Sequence, residues 1–140
     1  MSDQPKAIVQ RLCENWAWLT EREFEELLAP DCVYTDVPMP GRTDIGPAQA
    51  HAKLKDLKND FDIAFEIVSS AAEGDTVIVE RIESFHHKQA LVEDFKLACV
   101  GVFKVRAGKI TQWKDYWERS EAEPLMRAMA LKARAQKAAQ

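Results

Sequence analysis

Arg81, Glu83 and Asp115 are the side chains whose type and spacing suggest chemistry. The stretch VIVERIESF, residues 77–85, alternates as a β-strand does, placing Val77, Val79, Arg81, Glu83 and Phe85 on one face. Charges among Val and Phe are costly unless paired, so this face must bring partners together. Asp115 lies in a second alternating stretch, between Trp113 and Trp117. The expectation is that the three charged groups meet at the floor of one apolar pocket. Its walls would be Val79, Phe85, Trp113 and Trp117, with Val100 across the last hairpin. A guanidinium fork can hold two carboxylates at once. Two acids bridged this way compete for one proton, leaving one protonated acid and one carboxylate at neutral pH. Such a pair can give a proton on one side of a substrate and take one on the other. On pattern alone, the same residues fit cross-strand ion pairs on a solvent face equally well.

The elements that must position them follow from periodicity and caps. Asp3 is expected to cap a first helix, with Pro5 in its opening turn and Ile8, Leu12, Trp16 and Leu19 as its stripe. Thr20 and Glu23 have capping-box spacing for a second helix through Ala29, ended by Pro30 and Asp31. Residues 32–37 read as a short extended piece, which Pro38 and Pro40 would keep out of a central sheet position. A loop follows, then a third helix from Pro47 to about Leu57. The pattern then turns to strands at 61–71, 76–87, 94–106 and 110–117, with hairpin turns at Gly74 and Ala107-Gly108. A two-residue turn at Gly108 would pair Val105 with Ile110, Val102 with Trp113 and Val100 with Asp115; a bulge would shift this by one. A last helix is expected from about residue 120, with Leu125, Met126 and Met129 inward and a fraying tail. Helices first and an antiparallel meander after them make an α+β domain, with helices on one face of a curved sheet.

A chain of 140 residues fits one domain, residues 1–140, with a real core. Its net charge of −4 and the lack of a basic stripe argue against nucleic acid as a partner. No apolar run reaches membrane-spanning length, and residues 1–10 lack the order of a signal peptide, so a cytoplasmic location is the default. Cys13, Cys32 and Cys99 lack metal spacing and read as buried free thiols. His86 and His87 are adjacent in a strand, point to opposite faces and cannot easily chelate one ion. Trp16 and Trp18 read as core or interface residues, and Lys53, Lys55 and Lys58 as a solvated helix face. No nucleophile elbow or Cys–His signature offers covalent catalysis.

The segments VYTDVPMP, VIVERIESF and GVFKVRAGKITQWKDYWE resemble those of limonene-1,2-epoxide hydrolases, within the SnoaL-like or nuclear transport factor two-like superfamily. The resemblance covers most of the chain. It implies a cone-shaped α+β fold, homodimerisation through the outer sheet face, no metal or cofactor, and one-step opening of a small lipophilic or alicyclic epoxide by water. It assigns Asp115 as the base, Glu83 as the acid and Arg81 as the bridge between them, with Tyr34 and Asp36 holding the water. The family's strand motif has Asp where this chain has Glu83, and its water-holding amide is here Asp36. The superfamily also holds proton-shuttling isomerases and cyclases, and plain binding domains, which stand as alternatives.

Overall fold

The computed structural model describes residues 4–39 and 41–140. Asp3, the expected first cap, and Pro40 lie outside them. Helix α1 (Gln4–Asn15) stops before Leu19, yet Trp16, Ala17 and Leu19 in the following turn remain buried. Helix α2 (Glu21–Leu27) opens on the expected capping box. The Glu23 amide donates to Thr20 Oγ1 at 3.2 Å, and the Thr20 amide donates to Glu23 Oε1 at 3.1 Å.

Leu28 and Ala29, expected to close that helix, instead begin strand β1 (Leu28–Asp36). Pro30 therefore sits inside a strand. The ladder slips between Leu28 and Val33, and a residue without an N–H is tolerated at such an irregularity. Gly46, at φ +82°, lies so near Pro30 that a Cβ there would stand 2.6 Å from its carbonyl oxygen. Only glycine permits that approach.

The remaining elements are β2 (Thr43–Ile45), inside the expected loop, α3 (Gly46–Asp60), β3 (Phe61–Glu73), β4 (Thr76–His87), β5 (Phe95–Arg106), β6 (Lys109–Trp117) and α4 (Glu123–Ala138). The six strands form one sheet in the order β2-β1-β6-β5-β4-β3, with β1 and β6 parallel and every other pair antiparallel. The expected exclusion of residues 32–37 from the sheet interior does not hold, because β1 lies between β2 and β6. Pro38 follows the last ladder pair, Asp36 with Asp115, so it removes no bond from it.

The last hairpin carries the bulge. Val105 pairs with Ile110, but the next pairs are Lys104 with Gln112 and Phe103 with Trp113. Thr111 is the extra residue, and its hydroxyl donates to the Lys104 carbonyl at 3.3 Å. The pairings of Val102 with Trp113 and Val100 with Asp115 are thereby overturned. Asp115 faces Gly101, and Val100 faces Tyr116 on the other side of the sheet. Val100 is 37% exposed there and is no pocket residue.

Helices α1, α2 and α3 cover one sheet face, where Val9, Leu12, Phe24 and Leu54 join a core with Val77, Val79, Phe103, Ile110 and Trp113. Each such burial contributes roughly 1.5–3 kcal/mol, which makes this layer the rigid floor on which polar groups can be held. The opposite face leaves Val68, Ile78, Val100 and Tyr116 exposed. No described helix is long and apolar enough to cross a membrane.

Candidate active site

Strand β4 buries alternate residues from Val77 to His87, so Arg81 and Glu83 enter the helix-covered face together. Arg81 is 1% exposed and would be costly there alone. Its Nη2 donates to Asp115 Oδ2 at 2.8 Å and its Nε to Glu83 Oε2 at 3.3 Å. One guanidinium thus holds an acid from its own strand and an acid from β6. Its third nitrogen, Nη1, has no hydrogen-bond partner among the described residues and lies over Gly101, where a Cβ would stand 2.7 Å away.

Each acid also has an indole. Trp16 Nε1 donates to Glu83 Oε2 at 3.0 Å, and Trp113 Nε1 donates to Asp115 Oδ1 at 2.9 Å. Trp117 Nε1 donates to Asp36 Oδ1 at 3.1 Å. The two acids differ in how they are held. Both oxygens of Asp115 accept from fixed donors, an arrangement that favours a carboxylate. Both donors to Glu83 converge on Oε2, leaving Oε1 without a donor among the described residues. That oxygen is free to carry a proton.

Burial pushes the Glu83 carboxyl above the ordinary carboxylate range, against the pull of Arg81, and the charge of Asp115 adds to the rise. Burial raises Asp115 as well, again opposed by Arg81 and reinforced by Asp36. Burial alone would lower Arg81, but Asp115 and Glu83 outweigh it and hold the guanidinium well above its usual value. Cys13 and Cys32 are pushed up to about 12, chiefly by burial, so these thiols stay protonated.

Strand β1 supplies Tyr34 and Asp36. Asp36 pairs with Asp115 in the parallel ladder, on the same face and roughly 5 Å away across the strands. The Tyr34 ring stacks on Trp113, centroids 3.8 Å apart, and the Lys53 ammonium sits on its other face at 4.0 Å. Burial drives the Tyr34 phenol well above its ordinary value, and Asp36 adds to this. Lys53 reaches from α3 to pair with Asp36 Oδ2, with Asp44 Oδ2 3.7 Å off.

These groups border a cavity of about 280 Å³ between the sheet, α3 and α4. Glu83, Asp115, Asp36, Tyr34 and Trp16 line it, together with the apolar Leu57, Phe85, Leu125, Met126 and Met129 and the charged Arg42, Asp56, Asp60 and Lys132. Phe85 and Trp117 are wall residues. Trp113 and Val79 are not; Trp113 stands behind Tyr34, and Val79 is core. The volume lies just below the roughly 300–1,000 Å³ usual for ligand pockets, which suits a small molecule.

Two participants escaped the sequence reading. Lys53, read as solvated, has a side chain only 15% exposed. The signal was its place within the stripe Ala50, Leu54 and Leu57 of α3. Trp16 was read as a core or interface residue first and a pocket wall second, and nothing local announces that its N–H meets an acid on a strand far along the chain. His86 and His87 do point apart, one exposed and one buried. Among the described residues no group of three or more His, Cys, Asp or Glu side chains is placed to hold a metal ion.

The architecture is thus a curved mixed sheet under helices, with paired acids on one guanidinium at the wall of a cavity. The chain belongs to the limonene-1,2-epoxide hydrolase family, whose catalytic-domain model matches residues 13–129. No curated protein sequence matches it. Among solved structures it is similar to an LEH-like epoxide hydrolase of M. tuberculosis, with TM-score 0.74 and 20% identity over 94% of this chain and 96% of that one. A putative SnoaL-like polyketide cyclase from Jannaschia matches with TM-score 0.73 and 16% identity over 91% and 90% of the two chains. A protein of ketosteroid-isomerase-like fold from Catenulispora acidiphila, in complex with trimethylamine, matches with TM-score 0.71 and 23% identity over 81% and 87%. At these identities the likeness to solved structures establishes the fold alone.

Proposed function

We propose that the chain hydrolyses a small lipophilic or alicyclic epoxide with water in one step, without a cofactor. The observation that carries this reading is the unequal clamping of two buried acids by Arg81. Asp115, held at both oxygens, acts as the base that takes a proton from water. Glu83, which lines the cavity and whose Oε1 accepts from no described donor, gives its proton to the epoxide oxygen as the C–O bond breaks. Water oxygen bonds to the ring carbon, Asp115 keeps the water proton, and the product is a vicinal diol. A proton passing from Asp115 back to Glu83 resets the pair, and Arg81 lies between the two. Tyr34 and Asp36, on the adjoining strand, hold the water for attack. The apolar residues of the cavity select a hydrocarbon-rich substrate.

The test is a panel of cyclic and terminal epoxides given to wild type and to Asp115→Asn. General-base catalysis is worth about 10²–10⁴-fold, so the variant should lose at least that much while remaining folded. Single turnover in ¹⁸O water should put the label in the diol and leave the protein unlabelled. Equal rates in the two proteins would remove the mechanism. Turnover of an enolisable ketone with no epoxide activity would point instead to a proton-shuttling isomerase.

A further inference from the structure

We propose that Lys53 is a positioning residue of this site: it fixes Asp36 and Tyr34 and shields Asp115 from the charge beside it. The inference rests on the water-opening reading above and concerns how this chain accommodates a carboxylate at position 36.

Asp36 and Asp115 stand side by side on parallel strands and share one face. Two carboxylates so placed repel, and the interior does little to screen them. Arg81 pairs with Asp115 and Glu83, and forms no ion pair with Asp36 among the described residues. Lys53 supplies the missing positive charge from the helix side. Its ammonium is fully committed, pairing with Asp36 Oδ2, resting on the Tyr34 ring and lying near Asp44 Oδ2, which has no hydrogen-bond partner among the described residues. With Trp117 on Oδ1, Asp36 is held at both oxygens. Trp113 and Lys53 together grip the Tyr34 ring from its two faces. The two groups assigned to hold the water are therefore each held between a tryptophan and this one lysine.

The chemistry of position 36 changes with this pairing. An ionised carboxylate only accepts hydrogen bonds, so both water hydrogens can be directed to acids, one to Asp36 and one to Asp115. That arrangement works only while the repulsion between the two acids is offset. Around Asp115 the charged or titratable groups are Arg81 and Glu83 from β4, Cys99 from β5, Asp36 and Tyr34 from β1, and Cys13 from α1. Lys53 from α3 pairs with Asp36, and Arg42 from the segment before β2, Asp56 of α3 and the Lys132–Asp60 pair of α4 and α3 also border the cavity. Only Lys53 contacts Asp36 with positive charge among the described residues.

The experiment uses the full chain as Lys53→Met, Lys53→Arg, Asp36→Asn and the double variant Lys53→Met/Asp36→Asn. Two readouts are taken: the pH dependence of kcat/KM, and titration of the Asp115 side-chain carboxyl by ¹³C NMR, which requires no turnover. In Lys53→Met the Asp36 charge is left bare, so the Asp115 midpoint and the acidic limb should rise by about one pH unit. Asp36→Asn alone should lower both, and the double variant should bring them back to the wild-type position or below it. Lys53→Arg should keep the limb in place, because the charge remains, while kcat falls because the fork sits differently on Tyr34. An unchanged Asp115 midpoint in Lys53→Met, or a double variant shifted as far as the single, would overturn the proposal. Should Lys53→Met not fold, an unmoved midpoint in Asp36→Asn would overturn it equally. Wild type inert toward every epoxide would end the hydrolase reading, and the NMR titration would still decide the role of Lys53.

Discussion

The indole of Trp16, just past helix α1, donates to the Glu83 carboxyl on strand β4 across 3.0 Å of buried space. This contact ties the carboxyl of Glu83 to the helix layer. The same side chain also touches Arg81 at 3.3 Å. Its carboxyl is fixed between sheet and helix.

Trp16→Phe should therefore act on Glu83 with little change elsewhere. The indole hydrogen bond lowers the Glu83 pKa, so its loss raises it further. A general acid with a higher pKa stays protonated to higher pH, and the alkaline limb of the kcat/KM profile should move upward. Thermal unfolding should show a loss of about 0.5–1.5 kcal/mol, the scale of a hydrogen bond to a neutral group. An alkaline limb that stays in place would separate Glu83 from the acid role.

Stability should depend on pH through the same residue. Glu83 has a folded pKa above its unfolded value, because burial disfavours its charge. Such a group stabilises the fold fully below the unfolded pKa, and that contribution is lost as pH rises through the folded pKa. Glu83→Gln removes this loss. The Tm difference, variant minus wild type, should grow as pH is raised from the ordinary carboxylate range through neutrality. A difference that shrinks with pH would mean that the folded protein favours the charged form.

Gly101→Ala tests the space under Arg81. The added Cβ would stand 2.7 Å from Nη1 and 2.5 Å from the Phe103 ring. One of them must move. Overpacking of this kind costs about 1–3 kcal/mol. If Arg81 yields, kcat should fall more than KM rises, since the acids lose their common clamp. Denaturant unfolding and steady-state kinetics on the same sample separate the two effects.

The exposed outer face should be the seat of a homodimer. Val100 stands beside Tyr116 there, and Ile78 and Val68 extend the apolar area over β4 and β3. Ile78→Glu should turn a dimer into a monomer in analytical ultracentrifugation. A wild type that sediments as a monomer at all concentrations would remove the expectation.

Much of the site was legible because a period of two is a strong local signal. Alternation along 77–85 placed Arg81 and Glu83 on one buried face, and Trp113 to Trp117 did the same for Asp115. What stayed hidden was set by contacts across distance or by small irregularities. Val100 was put in the pocket because the turn at Gly108 was counted as a plain two-residue hairpin; the extra Thr111 reverses its face. The seat of β1 beside β6 was unreadable, since parallel partners are joined by long connections and leave no turn between them. Pro30 was taken as a stop because the slip that excuses its missing N–H exists only once β6 is in place. Lys53 was assigned to water by type, although its stripe pointed inward.

Three of the four tryptophans each touch a different carboxyl group, Trp16 on Glu83, Trp113 on Asp115 and Trp117 on Asp36. Indole emission responds to the charge at its ring nitrogen, so each acid carries its own optical reporter. Replacing Trp18 and two of the three with Phe would leave one fluorophore tuned to one acid. Stopped-flow mixing could then time individual proton movements in the resting site and with a molecule inside it.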